Sequence, residues 1–397
     1  MNPRDTSGHR EALPPPDAAA AELSERLSAV IRAEIDAHGG AISFARYMEL
    51  ALYAPGLGYY SAGHRKFGAA GDFVTAPELS PLFARCLSRQ CAQVLAAMDG
   101  GSVLEVGAGS GVLAGELLAT LTSDAVQLEK YFILEVSADL RERQQSAISR
   151  RSDAFGCDVE WLDRLPERFR GVLVANELID ALPVHRLVRA RGALRELCVT
   201  WEKDRFDWCL GEPGDERLVA RVEQVSAAAG DLDGYVFEIN LAAEDWLRTV
   251  AAILDEGVIL LIDYGYPQRE YFHPQRRGGT LMCHYRHRAH PDPLILPGLQ
   301  DITAHVNFTA LAETAHLAGL EVAGFVNQSY FLLSCGLLEL AENDAELDVT
   351  AQIRRAQEVK RLTLPGEMGE RFKVLALGRH SVSPLLGFTL RDDRVRL

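Results

Sequence analysis

The chain has 397 residues, 48% of them hydrophobic and 24% charged, enough for one large core with a smaller lobe beside it. Its 41 basic and 56 acidic side chains leave a formal net charge of -15, and no long basic run offsets this locally. Nucleic acid is therefore disfavoured as a partner and a cationic one is favoured, while no apolar run approaches the roughly 18 residues that a membrane-spanning helix needs.

Residues 1–17 carry Asp5, Glu11, Asp17 and the run Pro14-Pro15-Pro16, without the apolar segment of a signal peptide or the acid-poor character of a transit peptide. They read as a disordered tail on a cytoplasmic chain. The seven cysteines are scattered, odd in number and without metal-type spacing, which suits reduced thiols.

From residue 18 to 52 the pattern is helical, with Leu23, Leu27, Ile31 and Ile35 on one face; Gly39-Gly40 ends one helix and Ser43 opens the next. Residues 55–78 are rich in glycine and aromatics, and serve either as a connecting arm or as a lid over a pocket. Residues 80–98 return to a helical pattern, so 18–98 form an N-terminal helical arm with a lid loop.

Val103-Leu104-Glu105-Val106 then runs as a strand into Gly107-Ala108-Gly109-Ser110-Gly111, and an apolar helical pattern follows. Strands and helices alternate through residue 176, which implies a parallel, doubly wound sheet with ligands at the carboxyl ends of its strands. Hairpin chemistry interrupts this between residues 187 and 234, an inserted β-rich lobe. Val258-Ile259-Leu260-Leu261-Ile262 is the continuous apolar run of a strand buried on both faces. Residues 264–306 read as an irregular cap on the substrate side of a core made of 99–186 and 235–397. Further strands fall near residues 322 and 372, giving a seven-stranded sheet in an α/β fold.

The glycine spacing is G-x-G-x-G, with Val112 where a dinucleotide fingerprint wants its third glycine. Glu105 precedes the first glycine and Glu135 ends the next strand, where a carboxylate can accept both ribose hydroxyls. Together they point to a nucleoside without a pyrophosphate, and so to S-adenosyl-L-methionine. Trp161 ends the third strand and either stacks on adenine or joins the core.

Asn176-Glu177 follow the fourth strand, and Asp180 lies three residues on, able to face the same way as Glu177 on a starting helix turn. A guanidinium is a poor nucleophile because it stays protonated, and carboxylates gripping it can orient it and carry its proton away. The bland alternative is that Asn176 and Glu177 only cap the next helix. Asp263 ends the fifth strand on the same edge, as a third site carboxylate or as the start of a turn. His284, His287 and His290 alternate with Arg286 and Arg288, which favours a polar cap contacting substrate over a metal site.

On these residues the chain resembles the MidA-like family of S-adenosyl-L-methionine-dependent methyltransferases, which includes the mitochondrial complex I assembly factor that methylates arginine. The resemblance rests on Gly58-Tyr59-Tyr60, on Gly71-Asp72-Phe73 with Thr75, Pro77 and Glu78, and on the glycine loop with Leu134-Glu135-Val136-Ser137. It continues through residues 175–185, Asp263-Tyr264-Gly265, Asp301 to Phe308, and Met368-Gly369-Glu370-Arg371-Phe372. It implies a class I, Rossmann-like methyltransferase sheet with the arm and lobe as additions. Gly107, Gly109, Gly111 and Glu135 are then expected to bind the cofactor, helped by Glu105, Asn176, Trp161, Thr75 and Glu78. Glu177 and Asp180, with Asp263 beside them, would lie at the transfer site. The implied acceptor is a protein arginine, in a complex I subunit for the family's mitochondrial members, whose glycine loops carry Pro and Arg where Ala108 and Ser110 stand here. A non-catalytic cofactor-binding assembly factor and a small-molecule methyltransferase are the alternatives, and a homodimer is left open.

Overall fold

The computed structural model describes residues 13–62, 75–149, 155–190, 192–229, 233–342, 348–381 and 384–397. Most of the expected tail and residues 63–74 of the expected lid lie outside these.

Strand β1 (Ile42–Ser43) belongs to the arm. The core opens with β2 (Ser102–Val106), β3 (Lys130–Leu134), β4 (Asp158–Leu162) and β5 (Phe169–Asn176). A lobe follows with β6 (His185–Ala190), β7 (Ala193–Glu202), β8 (Arg205–Gly211) and β9 (Val236–Ile239). β10 (Leu254–Tyr266) returns to the core, and β11 (Met282–Tyr285), β12 (Arg288–His290) and β13 (Asp301–Thr303) form the cap. β14 (Val306–Asn307), β15 (Glu321–Asn327) and β16 (Phe372–Arg379) close the chain's sheets.

The main sheet runs β15-β16-β10-β5-β2-β3-β4, with β14 paired to the end of β10. Strands β10, β5, β2, β3 and β4 are mutually parallel, and β16 is antiparallel to both neighbours. The sheet therefore has eight strands and not the seven expected. The addition, β14, is two residues long and follows a turn, too short to show a period of its own.

Alternate residues feed opposite faces. Val103, Val172 and Val174 pack with the helices Pro81–Ala97 and Val112–Ser123. Leu104, Leu173 and Ile259 pack with Leu241–Ile253 and Phe308–Leu317. Both faces are covered, as apolar parallel strands require.

The chain crosses from β2 to β3 and β4 in one direction, then returns as β5 on the other side of β2, which creates a switch point. Register fixes what emerges there. Val106 pairs with Leu134 and with Ala175, and Asn176 pairs with Ile262. Gly107 and Glu135 thus leave the sheet level with Asn176, Glu177 follows one residue on, and β10 runs past Asp263 beside it.

Outside the core the structure differs from the sequence reading. The lobe is not self-contained: β1 of the arm pairs antiparallel with β7, Ile42 opposite Val199, in a sheet ordered β1-β7-β6-β9 with β8 on β7. Phe44 lies 5.1 Å from Trp208 and Tyr47 5.6 Å from Phe206, centroid to centroid, so arm and lobe share one aromatic core. The polar stretch expected within the lobe is the helix Glu216–Ala229. The cap, expected to be irregular, holds a three-stranded antiparallel sheet in which Cys283 faces both His290 and Ile302. Its strands are short and carry charges and histidines, which hides their alternation.

Candidate active site

The carboxyl ends of β2, β3, β5 and β10 open into a cavity of about 1100 Å³, above the usual range for a single small ligand. Gly107, Gly109 and Gly111 all adopt positive φ, with Gly111 at 81° capping the helix that begins at Val112. A Cβ on Gly111 would stand 3.3 Å from the Cα of Gln144, so any other residue there would be tight for space as well as strained in angle.

Gln144 ties this corner together. It is fully buried, its Nε2 donates to the Gly109 carbonyl and to Glu135 Oε2, both at 3.0 Å, and its Oε1 accepts from Trp161 Nε1 at 3.1 Å. Glu135 lines the cavity, with its Oε1 taking the Ser137 N–H at 2.9 Å. Trp161 packs against the core and is not among the lining residues; it braces Gln144, which braces Glu135. Glu105 lines the floor as a buried carboxyl that accepts the Tyr131 hydroxyl at 2.6 Å. Burial raises it to about 7 against the lowering effect of that bond.

The arm reaches the same pocket. Thr75 and Pro77 line it, and Glu78, one turn on, accepts the Ser110 hydroxyl and so fastens the arm to the glycine loop. Tyr53 and Tyr60 line the opposite side with rings stacked at 5.5 Å; their hydroxyls donate to the Ala181 carbonyl at 3.0 Å and to Asp301 Oδ1 at 2.9 Å.

Beyond the loop stand the carboxyls. Glu177 has φ of 52°, an uncommon conformation for a side-chain-bearing residue, held by its N–H on the Ile262 carbonyl at 2.9 Å. Asp180 is 4% exposed and its Oδ2 accepts the Tyr264 hydroxyl. Both line the cavity with Asn176 and Asp301. Asp263 sits behind them: it accepts the N–H groups of Ile179 at 2.9 Å, Asp180 at 3.2 Å and Tyr264 at 2.9 Å, and is not on the cavity wall. The structure places it as the residue that positions the 177–180 turn, and corrects its reading as a group that meets substrate.

Burial, reinforced by the charge of Asp180, pushes Glu177 up to about 8, and burial pushes Asp180 up to about 6. Asp263 is raised by burial and by the charges of Asp180 and Glu177. Among the described residues no Lys or Arg side chain pairs with these three carboxyls. The buried oxygens Asn176 Oδ1 and Asp180 Oδ1 also lack partners. A ligand donating hydrogen bonds and carrying positive charge completes this wall, and S-adenosylmethionine, a sulfonium with an ammonium and two ribose hydroxyls, fits it. Gln144 and Tyr53 drew no attention in the sequence, because a lone polar or aromatic residue carries no pattern; Tyr264 and His305 stood within the resembling segments without a role of their own.

A doubly wound sheet with a glycine loop and a strand-end carboxylate at its switch point defines the class: a class I methyltransferase. Residues 86–326 match the MidA-like family, described as S-adenosyl-L-methionine-dependent methyltransferases, and the chain belongs to it. Over 399 residues it is 28% identical to the mitochondrial protein arginine methyltransferase NDUFAF7 of Danio rerio, spanning 88% of this chain and 89% of that one. The Homo sapiens protein of that name is 27% identical over 375 residues, 86% and 82% of the two chains. A Burkholderia thailandensis protein in crystal complex with S-adenosyl-homocysteine shares 44% identity and superposes with a TM-score of 0.92, covering 97% of this chain and 100% of that one.

Proposed function

We propose that this S-adenosylmethionine-dependent methyltransferase acts on an arginine side chain of a protein, the activity named for its relatives from Danio rerio and Homo sapiens. The observation that carries the reading is the pair Glu177, half-buried, and Asp180, buried, on the cavity wall with Asp263 buried behind them, and among the described residues no basic side chain pairs with any of the three. Buried carboxyls without a cation are costly, and a guanidinium, planar and always charged, relieves that cost with paired hydrogen bonds.

S-adenosylmethionine supplies, when bound, an electrophilic methyl group on sulfur. Gly107, Gly109 and Glu135 would hold its nucleoside. Glu177 and Asp180 would grip the acceptor guanidinium from one side and turn a nitrogen towards the methyl group. Transfer forms an N–C bond, breaks an S–C bond and releases one proton, because the methylated guanidinium keeps a single charge. Glu177 is placed to take that proton, since its raised affinity matches neutral solution. Tyr264 and Asp263 hold Asp180 and the turn in position. The family resemblance suggests a subunit of respiratory complex I as the acceptor.

Glu177→Gln tests the assignment. Calorimetry with S-adenosyl-homocysteine should give a dissociation constant within a few-fold of wild type, while methyl transfer falls roughly 10²–10⁴-fold. Undiminished transfer would remove Glu177 from the chemistry, and absence of transfer by wild type alongside firm cofactor binding would favour a non-catalytic binding role.

A further inference from the structure

The cavity wall carries cations as well as carboxyls: Arg276, Arg361 and Arg371 line it too. Arg361 lies in the last turn of the helix Val349–Thr363 and Arg371 closes the turn Met368–Arg371. Both are exposed, and among the described residues neither guanidinium has a hydrogen-bond or ion-pair partner. Arg276 is held over the Tyr266 ring at 4.1 Å, donating only to the backbone carbonyls of Glu270 and Tyr271, at 2.5 and 3.3 Å. Below them Lys373, 8% exposed, also donates to backbone carbonyls, those of Glu370 and Arg371. The acid on the same rim is Glu367, which is exposed, and Glu270 nearby is occupied by Arg396. A helix C-terminus favours a cation such as Arg361 in any case. Arg371 likewise ends the short helix Met368–Arg371, but a helix end does not account for Arg276, nor for a basic rim on a chain of net charge -15.

His305 reports the field of these cations. It lines the cavity with its ring 5.3 Å from those of both Tyr264 and Tyr266, and its buried Nδ1 lacks a partner. Burial first, then Arg276, Lys373 and Arg371, hold it down at about 4. Burial likewise depresses Lys373 to about 8. The one cavity thus holds carboxyls without a cationic partner and guanidiniums without an anionic one.

We propose that the acceptor is an arginine with an aspartate or glutamate close to it in sequence, the guanidinium meeting Glu177 and Asp180 while the neighbouring carboxylate meets Arg361, Arg371 and Arg276. This deepens the arginine reading above and rests on it. Arg–carboxylate pairing is charge-assisted and directional, so it selects among arginines that the carboxyl floor alone would treat alike.

The test uses the full chain with labelled S-adenosylmethionine and peptides holding one arginine. Asp or Glu is set one to five residues away on either side, and compared with Asn or Gln and with Lys at the same positions. At the best position kcat/KM should favour the acidic peptide about tenfold over its amide counterpart, with the ratio shrinking as salt rises. Arg361→Gln and Arg371→Gln should each lower that ratio, and the double charge reversal R361E/R371E should invert it towards the Lys peptide. S-adenosyl-homocysteine affinity, measured in each variant, checks that the pocket is intact. A wild-type ratio near one at every position, or a ratio unmoved by the double reversal, overturns the proposal while leaving arginine methylation standing. Loss of S-adenosyl-homocysteine affinity on substituting Arg371 would assign that rim to the cofactor and also overturn it. Label in none of the arginine peptides, and in no protein of an extract, would instead defeat the arginine reading itself.

Discussion

At the residue scale the account turns on carboxyls whose protonation differs from that of free side chains. Glu177 sits near 8 when the acceptor is absent, and the form that grips a guanidinium is the ionised one. Activity in kcat/KM should therefore rise with pH through about 8, with a lower midpoint in kcat because the bound cation favours ionisation. A pH profile flat from 6 to 9 would contradict this. The same shift has a stability consequence of opposite sense. A carboxyl raised from its ordinary 4.5 to about 8 binds its proton more tightly in the folded state. The stability it contributes is full below about 4.5 and is lost as pH rises towards 8. Glu177→Gln, a mimic of the neutral form, should be more stable than wild type by on the order of 1–2 kcal/mol at pH 9, allowing for its partial exposure, and little different at pH 5. Thermal denaturation at the two pH values reads this directly. Gln144 is the other decisive residue. Gln144→Leu would leave the Trp161 N–H, the Gly109 carbonyl and one Glu135 oxygen without their partner. The expected cost is about 1–3 kcal/mol, with weaker S-adenosyl-homocysteine binding as Glu135 loses its orientation.

At the scale of elements the core strands were legible because each is an apolar run ending in a polar or glycine residue. Val258 to Ile262 and Val103 to Val106 show it most plainly. The level at which they end was not legible, since register is a property of pairs, and it is register that sets Gly107, Glu135 and Asn176 side by side with Glu177 just beyond. The two-residue β1 and β14 and the cap strands are too short for periodicity, so the sharing of a sheet between arm and lobe was invisible. The glycine loop was read for the right reason in outline. Its three glycines all need positive φ, but the space taken by Gln144 at Gly111 comes from a helix some thirty residues away in sequence. Gly111→Ala should cost about 1–3 kcal/mol of stability and weaken S-adenosyl-homocysteine binding in calorimetry, while Gly115→Ala, inside the helix Val112–Ser123 where a Cβ meets nothing within 4 Å, should stabilise by about 0.5–1 kcal/mol.

At the scale of the whole molecule, arm and cap are walls of one cavity built on the core's carboxyl edge, and the lobe braces the arm. The arm contributes Tyr53, Tyr60, Thr75 and Pro77, and the cap contributes Asp301 and Thr303. Phe44 is fully buried between arm and lobe, so Phe44→Ala should destabilise by about 3–5 kcal/mol. By loosening the arm it should also raise the KM for the acceptor more than it weakens the cofactor. The central claim, methyl transfer from S-adenosylmethionine to a protein arginine, is tested most directly by incubating the chain with deuterated-methyl S-adenosylmethionine and cell extract, then sequencing labelled species by tandem mass spectrometry. The account predicts labelled methylarginine in a protein with wild type and its absence with Glu177→Gln; label confined to the small-molecule fraction would contradict it.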